Sequence, residues 1–496
     1  MAKYTSLAKD TAIYGLSSIV GRFLNYLLVP LYTHYMPRES GDYGVSTNIY
    51  AYTALILVLL TFGMETTLFR FAADAPCAGS KDKPATPATG KLWADTVFTT
   101  AMAVVGTLTG VFLLCMFGFI TPIAAALGYA DHHEYILMMA AVVAMDALQA
   151  LPFSYLRYQQ RAMRFATLKL LFIFINIGLN LLYFVVLGKT SVFYVFFINL
   201  VCTGFITLLF VPGLLRVHWH LDISLLGHML SYSWPILVLG IAGILNQVAD
   251  KIIFPLVYPD TAAATVQLGI YGSCVKIAMI MAMITQAFRY AYEPIVFAKA
   301  KDADKGEYYA QAMKYFIIFT LLAFLCVVGY MPLLKYIIGP GYREGLGVVP
   351  IVMAAEIMMG IYFNLSFWYK LIDKTIYGAV FSLAGCAVLV VINIIFIPRY
   401  GYWACAWGGF AGYATCMTLS YLVGQRINPF PYPMRDIALY VALAGALFAI
   451  MSNLPEAWPA AAHLGVSTAL IALFAAVIAG RDLPLRNLPV VGKWFK

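Results

Sequence analysis

Long apolar runs recur from one end of the chain to the other, and they limit the possible fold more than any other feature. One helix needs about 20 apolar residues to cross a bilayer. Because lipid offers the backbone no hydrogen-bond partners, such runs predict membrane-spanning helices. We predict about fourteen spans, at residues 11–34, 44–69, 94–120, 134–155, 165–187, 191–213, 229–257, 265–290, 313–334, 346–369, 376–397, 403–424, 437–453 and 461–480.

The composition agrees with a membrane protein. Of the 496 residues, 62% are hydrophobic and 11% are charged, whereas soluble domains have about 25% charged residues. Fourteen spans leave only short connections, so a sizeable soluble domain does not fit. A cytosolic enzyme, a secreted disulfide scaffold and a nucleic-acid-binding domain are therefore all disfavoured.

The positive charges indicate the orientation of the chain in the membrane. Cytoplasmic loops are enriched in Lys and Arg, and most of the 32 such residues fall in alternate connections that include both termini. This pattern predicts an even number of spans with both termini in the cytoplasm. The opposite connections hold only Arg38, Lys189, Lys335, Arg343 and Arg399.

Two stretches of the chain resemble each other. Residues 25–32 align with residues 250–257, so that Asn25 matches Asp250 and Pro30 matches Pro255. Because six spans separate the two stretches, both halves have the same orientation, as in transporters with parallel repeats. We therefore predict an all-α polytopic membrane protein with two six-helix lobes, residues 1–214 and 215–425. A pseudo-twofold axis along the membrane normal relates the lobes, and residues 426–496 add two C-terminal helices and a cytoplasmic tail.

Polar side chains within the spans mark the candidate site. A charge at the centre of a membrane helix costs about 2.5–3.5 kcal/mol, so these groups are expected to face a cavity or a partner. Basic groups predominate, which favours an anionic ligand such as phosphate. The candidate substrate-binding residues are Arg22, Asn25, Asn246, Gln247, Lys251, Lys276 and Arg289. The candidates for a coupling H⁺ or Na⁺ are Asp250, Glu356 and Asp146. The alternative is mutual ion pairing, for example of Asp250 with Lys276, that only holds helices together.

Other motifs are absent or weak. Gly188-Lys189-Thr190 lacks the preceding glycine of a phosphate-binding loop. The pairs His132/His133 and His218/His220 lie at membrane edges without further ligands, so we predict no metal site and no other cofactor. The glycine pairs Gly106/Gly110 and Gly408/Gly412 have the spacing of close helix packing.

Several motifs, taken in order, resemble a known family. The run from Thr11 through Arg22 and Asn25 to Tyr32, followed by Gly41-Asp-Tyr-Gly44, is similar to the first helix and turn of the MATE-like (MOP) flippase superfamily, specifically its polysaccharide transporter branch. Later stretches also resemble it: Ser233-Trp-Pro235 through Lys251, Gly269-Ile-Tyr271-Gly with Lys276, and residues 393–401. This resemblance implies alternating access between two lobes and a cationic cavity that accepts an undecaprenyl-linked pyrophosphate.

The resemblance and the basic interior favour one function. We expect a flippase of the bacterial inner membrane that moves a polyprenyl-pyrophosphate-linked oligosaccharide to the outer leaflet for O-antigen, capsule or exopolysaccharide assembly. Its partners would be this lipid-linked substrate, the bilayer and a polysaccharide polymerase or assembly machinery, without nucleic acid. The alternative is a cation-coupled exporter of drugs or metabolites on the same fold. A membrane enzyme is disfavoured because the outer loops are short and hold few catalytic groups.

Overall fold

All regular secondary structure in the described part of the chain is helical. The computed structural model describes residues 28–73, 87–298, 305–372, 374–455 and 458–482. Within these ranges there are α-helices, short 3₁₀ segments and one π-helical stretch at Leu181–Val186, and no strand. The predicted all-α class is confirmed.

Nine α-helices of the described residues precede residue 260. In chain order they are α1 Leu28–Tyr35, α2 Asp42–Thr61, α3 Met64–Ala73, α4 Pro87–Gly118, α5 Ile120–Ala126, α6 His133–Tyr158, α7 Ala162–Asn180, α8 Val192–Leu214 and α9 Ile223–Val257.

The later helices complete the described chain. They are α10 Thr261–Ala298, α11 Lys305–Gly329, α12 Met331–Leu334, α13 Val349–Leu365, α14 Phe367–Lys370, α15 Ile376–Tyr400, α16 Tyr402–Ile427, α17 Met434–Ser452 and α18 Ala460–Arg481.

Twelve helical segments among the described residues are long and apolar enough to cross a membrane. The predicted first span, residues 11–34, lies mostly outside the described residues. The predicted twelfth span is the 26-residue helix α16, which is not among the twelve. The chain is thus a multi-pass membrane protein, and the total of fourteen spans stays a prediction.

The predicted second span, residues 44–69, is two helices rather than one. Helix α2 ends at Thr61, its C-cap residue Phe62 adopts a left-handed backbone conformation with φ of 50°, and Gly63 follows with φ of 68°. Such values interrupt an α-helix, and α3 begins at Met64.

The chain forms two compact units, one of residues 1–269 and 397–401, the other of residues 270–396 and 402–496. In the first unit α9 packs along α2, and α6 packs between α4 and α8. In the second unit α13 packs on α16, and α11 contacts α13, α17 and α18. The predicted lobes 1–214 and 215–425, and the twofold repeat, stay predictions.

Close helix packing is found at only one of the two predicted glycine pairs. A Cβ on Gly408 would lie 2.5 Å from Asn393 Oδ1, and one on Gly412 would lie 2.9 Å from the Gly385 carbonyl oxygen. No atom of the described residues lies within 4 Å of a Cβ built on Gly106 or Gly110. For Gly106 and Gly110 the described part of the chain shows no close helix packing, and spacing alone does not show whether another helix faces a glycine.

Candidate functional site

Helix α9 carries four of the predicted site residues in the first unit. Asn246 and Asp250 are buried, Lys251 is half-buried and Gln247 is exposed. The Lys251 ammonium donates to Asp250 Oδ1 at 3.0 Å and to Oδ2 at 3.2 Å. It also donates to the Gln247 carbonyl oxygen at 2.9 Å. The structure therefore joins a predicted phosphate ligand, Lys251, and a predicted ion ligand, Asp250, in one ion pair.

This pair changes how the two residues can act. A carboxylate within hydrogen-bond distance offsets most of the ammonium charge, so Lys251 would have to leave Asp250, wholly or in part, to bind an anion. The individual roles predicted for the two residues remain predictions.

Two residues that the sequence analysis did not select hold this part of α9 in place. The Asn48 side chain on α2 donates to the Lys251 carbonyl oxygen at 2.8 Å. The Tyr129 hydroxyl donates to Asn48 Oδ1, also at 2.8 Å. Asn48 is only 1% exposed. It could have been found in the sequence as an amide within an apolar span, since such side chains often bond across helices.

A polar cavity of about 440 Å³ lies inside the first unit. Its wall includes Asp146, one of the predicted ion ligands. The Ser154 hydroxyl donates to Glu65 Oε2 at 3.0 Å, and Gln149 Nε2 donates to the Thr203 carbonyl oxygen at 3.0 Å. The polar lining residues are Glu65, Asp146, Gln149, Ser154, Arg157 and Lys169.

The charges around this cavity balance in number without pairing directly. The Lys169 ammonium lies 4.1 Å from the centroid of the Phe153 ring, and the Arg157 guanidinium lies 5.0 Å from that of Phe69. Among the described residues, neither cation lies within 4 Å of a carboxylate oxygen, so Asp146 and Glu65 form no ion pair with them at that distance. A carboxylate that is open to a cavity in this way can exchange a proton or a small cation.

The remaining predicted residues lie in the second unit or outside the described chain. Lys276 on α10 and Glu356 on α13 are half-buried. The Arg289 guanidinium lies 4.8 Å from the centroid of the Phe363 ring, and Arg289 lines a small cavity of about 10 Å³. Arg22 and Asn25 lie outside the described residues.

The second unit also contains an apolar groove of about 370 Å³ between helices α11, α13, α16 and α17. Its lining includes Met313, Ile317, Ile357, Met417 and Val441. Such a groove has the polarity of a lipid chain and few groups that could orient a sugar or a phosphate.

Comparisons with known proteins relate this architecture to a family. A sequence profile of the family described as polysaccharide biosynthesis protein matches residues 7–297, more than half of the chain. The chain belongs to the polysaccharide biosynthesis protein family. No curated protein matches this family member at a significant level.

Solved structures show the fold that this family member has. One is the lipid II flippase MurJ in an inward closed conformation, with a TM-score of 0.73 and 12% identity over 94% of this chain and 98% of that one. Another is an inward-facing multidrug resistance MATE family transporter of the MOP superfamily, with a TM-score of 0.65 and 14% identity over 84% of this chain and 95% of that one. The predicted MATE-like fold is confirmed, and identities this low concern the fold alone.

Proposed function

We propose that the protein is a flippase that moves a polyprenyl-pyrophosphate-linked oligosaccharide from the cytoplasmic to the outer leaflet by alternating access. The observation that carries this proposal is the match of residues 7–297 to the polysaccharide biosynthesis family. A flippase fold supports it, because lipid-linked glycan precursors are polar groups that must cross a bilayer. The product would serve O-antigen, capsule or exopolysaccharide assembly, with a polymerase or other assembly protein as the next partner.

The bacterial inner membrane is the proposed location, with both termini in the cytoplasm. The support is the Lys and Arg content of alternate loops. Transport of this kind needs no covalent chemistry, so the protein is proposed to be a transporter and not an enzyme.

Cationic side chains are proposed to bind the pyrophosphate. Arg22 supplies two parallel donors and Lys276 a point charge. Lys251 would join them by exchanging part of its contact with Asp250 for a phosphate oxygen. Such an exchange is favourable only when substrate is present, which would link substrate binding to a rearrangement around α9. Asn25, Asn246 and Gln247 would bind sugar hydroxyls, and Arg289 would add positive charge on the second unit.

The lipid tail is proposed to stay in an apolar environment throughout. The groove between α11, α13, α16 and α17 supports this, because its lining is almost entirely hydrocarbon and thioether. Each methylene kept out of water contributes about 0.8 kcal/mol, so a long isoprenoid chain would strongly favour such a surface.

Asp146 is proposed as the ligand of the coupling H⁺ or Na⁺. Asp250 already holds Lys251, whereas the Asp146 carboxylate opens into the 440 Å³ cavity beside Glu65. Proton or cation binding there would remove one negative charge opposite Lys169 and Arg157. This change in the charge balance would favour a different packing of the helices in the first unit. Glu356 is the second candidate.

Transport in proteoliposomes tests the proposal. A fluorescent polyprenyl-pyrophosphate oligosaccharide would be followed by its accessibility to a membrane-impermeant quencher. Each lost charged hydrogen bond costs about 1.5–3 kcal/mol, so Arg22→Ala with Lys276→Ala should slow translocation at least about tenfold. The control is Lys374→Ala with Arg426→Ala, which removes two exposed cations. Equal rates for both double variants would refute the phosphate role, and no translocation by the wild type would refute the flippase.

Ion coupling has its own test. With a pH or Na⁺ gradient imposed across the liposomes, the wild type should respond and Asp146→Asn should not, while both still bind substrate. Asp131→Asn, at an exposed aspartate outside the cavity, is the control. If Asp146→Asn keeps its gradient response and Glu356→Gln loses it, the coupling site is Glu356.

A second candidate function is a cation-coupled exporter of drugs or metabolites. The observation in its favour is the pair of carboxylates, Glu65 and Asp146, in one cavity, which could attract cationic compounds. Lys169 and Arg157 in the same wall oppose this attraction. Increased drug resistance on overexpression, without glycan transport, would favour the exporter.

A further inference from the structure

Four basic side chains meet at one end of the first unit, apart from the residues discussed above. Lys91, Arg161, Arg164 and Arg216 line one cavity of about 290 Å³. They come from the beginning of α4, the α6–α7 connection, the first turn of α7 and the segment after α8. Helix ends that are distant in sequence thus bring their positive charges to one place.

The described residues neutralise little of this charge. Asp95 lines the same cavity, but it is buried and its carboxylate accepts the hydroxyl hydrogen of Tyr155. Within the described part of the chain, none of the four basic groups lies within 4 Å of a carboxylate oxygen. The Arg164 guanidinium lies over Gly213 instead, with Nη2 3.6 Å from the position of a Cβ there.

The beginning of helix α7 adds to the positive potential. Its first turn has no acidic residue, and its N-cap residue Arg161 makes no side-chain capping bond. Helix N-termini carry a partial positive charge that acidic residues normally complement. Here Arg161 and Arg164 occupy that position, so a bound anion would relieve repulsion among the basic groups and complement the helix.

The position of the cavity identifies the kind of anion. Apolar segments that can span a membrane begin or end beside it, at Gly90, Tyr158, Ala162 and Leu214, which puts it at the level of lipid headgroups. Met163 and Leu215, next to the basic residues, are 69% and 79% exposed. A free phosphate would use the charges alone, whereas a lipid would also cover these apolar side chains.

We propose that this cavity binds the phosphodiester headgroup of an anionic phospholipid, on the face predicted to be cytoplasmic. The phosphate accepts from the guanidinium groups of Arg161, Arg164 and Arg216, and the acyl chains lie against Met163 and Leu215. Such a lipid would hold together the ends of α4, α6, α7 and α8. The site is separate from the proposed transport residues and does not depend on the flippase assignment.

Lipid binding to the full-length protein tests the proposal. Purified protein would be titrated with phosphatidylglycerol, or with phosphatidylcholine of the same acyl chains, and bound lipid counted by native mass spectrometry. The triple variant Arg161→Gln, Arg164→Gln, Arg216→Gln should bind phosphatidylglycerol roughly tenfold more weakly, because juxtamembrane basic residues drive binding to anionic lipid. The triple control Lys374→Gln, Arg426→Gln, Arg435→Gln removes the same charge from exposed positions and should bind like the wild type.

Other outcomes overturn the proposal. Equal loss in both triple variants means diffuse attraction rather than a site. If millimolar inorganic phosphate displaces the lipid, and phosphate binds equally well when no lipid is present, the cavity is a free-phosphate site. Displacement by polyprenyl pyrophosphate at equal concentration means a substrate site. If the triple variant does not fold, Arg216→Gln alone, in an exposed segment, should still weaken phosphatidylglycerol binding about threefold, and unchanged binding refutes the site.

Discussion

Asp250 and Lys251 are neighbours in the sequence and also form an ion pair inside a span. Removing one partner of a buried pair costs about 3–5 kcal/mol. Because the Lys251 side chain is 19% exposed, we expect Asp250→Asn to cost less, about 1–3 kcal/mol. Asp250→Asn with Lys251→Gln should recover part of this loss, since both charges of the pair are then removed together.

Thermal unfolding in detergent would measure these effects. Glu39→Gln, at an exposed carboxylate, is the control and should not change the unfolding temperature. If Asp250→Asn unfolds at the wild-type temperature, the ion pair does not stabilise α9.

Gly44 lies at a close approach of two backbone segments, and a single substitution can test this. A Cβ there would lie 1.7 Å from the Thr265 carbonyl oxygen and 2.9 Å from the Gly269 backbone nitrogen. Overpacking costs about 1–3 kcal/mol, and backbone atoms cannot move aside as a side chain can, so Gly44→Ala should unfold at a clearly lower temperature. Gly178→Ala, in a helix with open space at that position, should be neutral or stabilising. Similar unfolding temperatures for the two variants would contradict the close approach.

At the scale of helices, a charged network ties the last two helices to α11 in the second unit. Lys314 donates to Asp436 on α17 at 2.8 Å and to Asp482, just after α18, at 2.5 Å. Arg481 donates to Asp436 at 3.0 Å, and the Tyr440 hydroxyl donates to Asp482. Because several partners share each charge, this network should stabilise the helices more than isolated surface pairs would.

The network predicts a pH dependence of stability. Burial raises the pKa of the Asp482 carboxyl, but the hydrogen bonds from Lys314 and Tyr440 outweigh this effect and the pKa is lower than usual. A carboxyl with a lowered pKa in the folded state stabilises above its unfolded pKa, about 3.9, and loses this contribution as the pH falls through the folded value.

Asp482→Asn should therefore unfold at a lower temperature than the wild type at pH 7, with the gap closing as the pH falls below about 4. Unfolding scans across this pH range would show it. Asp131→Asn should show no gap at any pH, and a gap for Asp482→Asn that persists in acid would exclude the carboxylate as its cause.

At the scale of the whole molecule, the distribution of positive charge predicts the topology. Lys189 and His218 are both exposed and lie in connections at opposite ends of α8. In a cysteine-free background, a membrane-impermeant maleimide on intact cells should label Lys189→Cys and not His218→Cys. Both should react once the membrane is permeabilised. The reverse pattern would invert the predicted orientation.

The sequence by itself determined the fold class and the types of residue at the site. Apolar runs of bilayer length leave the backbone only the helix, so the all-α multi-pass class followed from them alone. Polar residues within those runs had to have partners or face cavities, which made Asp146, Asp250 and Lys251 visible before any coordinates.

Tertiary structure alone decided which groups meet. The pairing of Asp250 with Lys251 depends on side-chain conformation, and the cavity around Asp146 depends on residues from several helices. The packing glycines differ for the same reason, since a Cβ on Gly408 would meet Asn393 while one on Gly106 would meet no side chain of the described residues. Helix formation is determined by the composition of one local segment. Contacts between segments depend on how each helix is rotated about its axis, and hydropathy does not record that rotation.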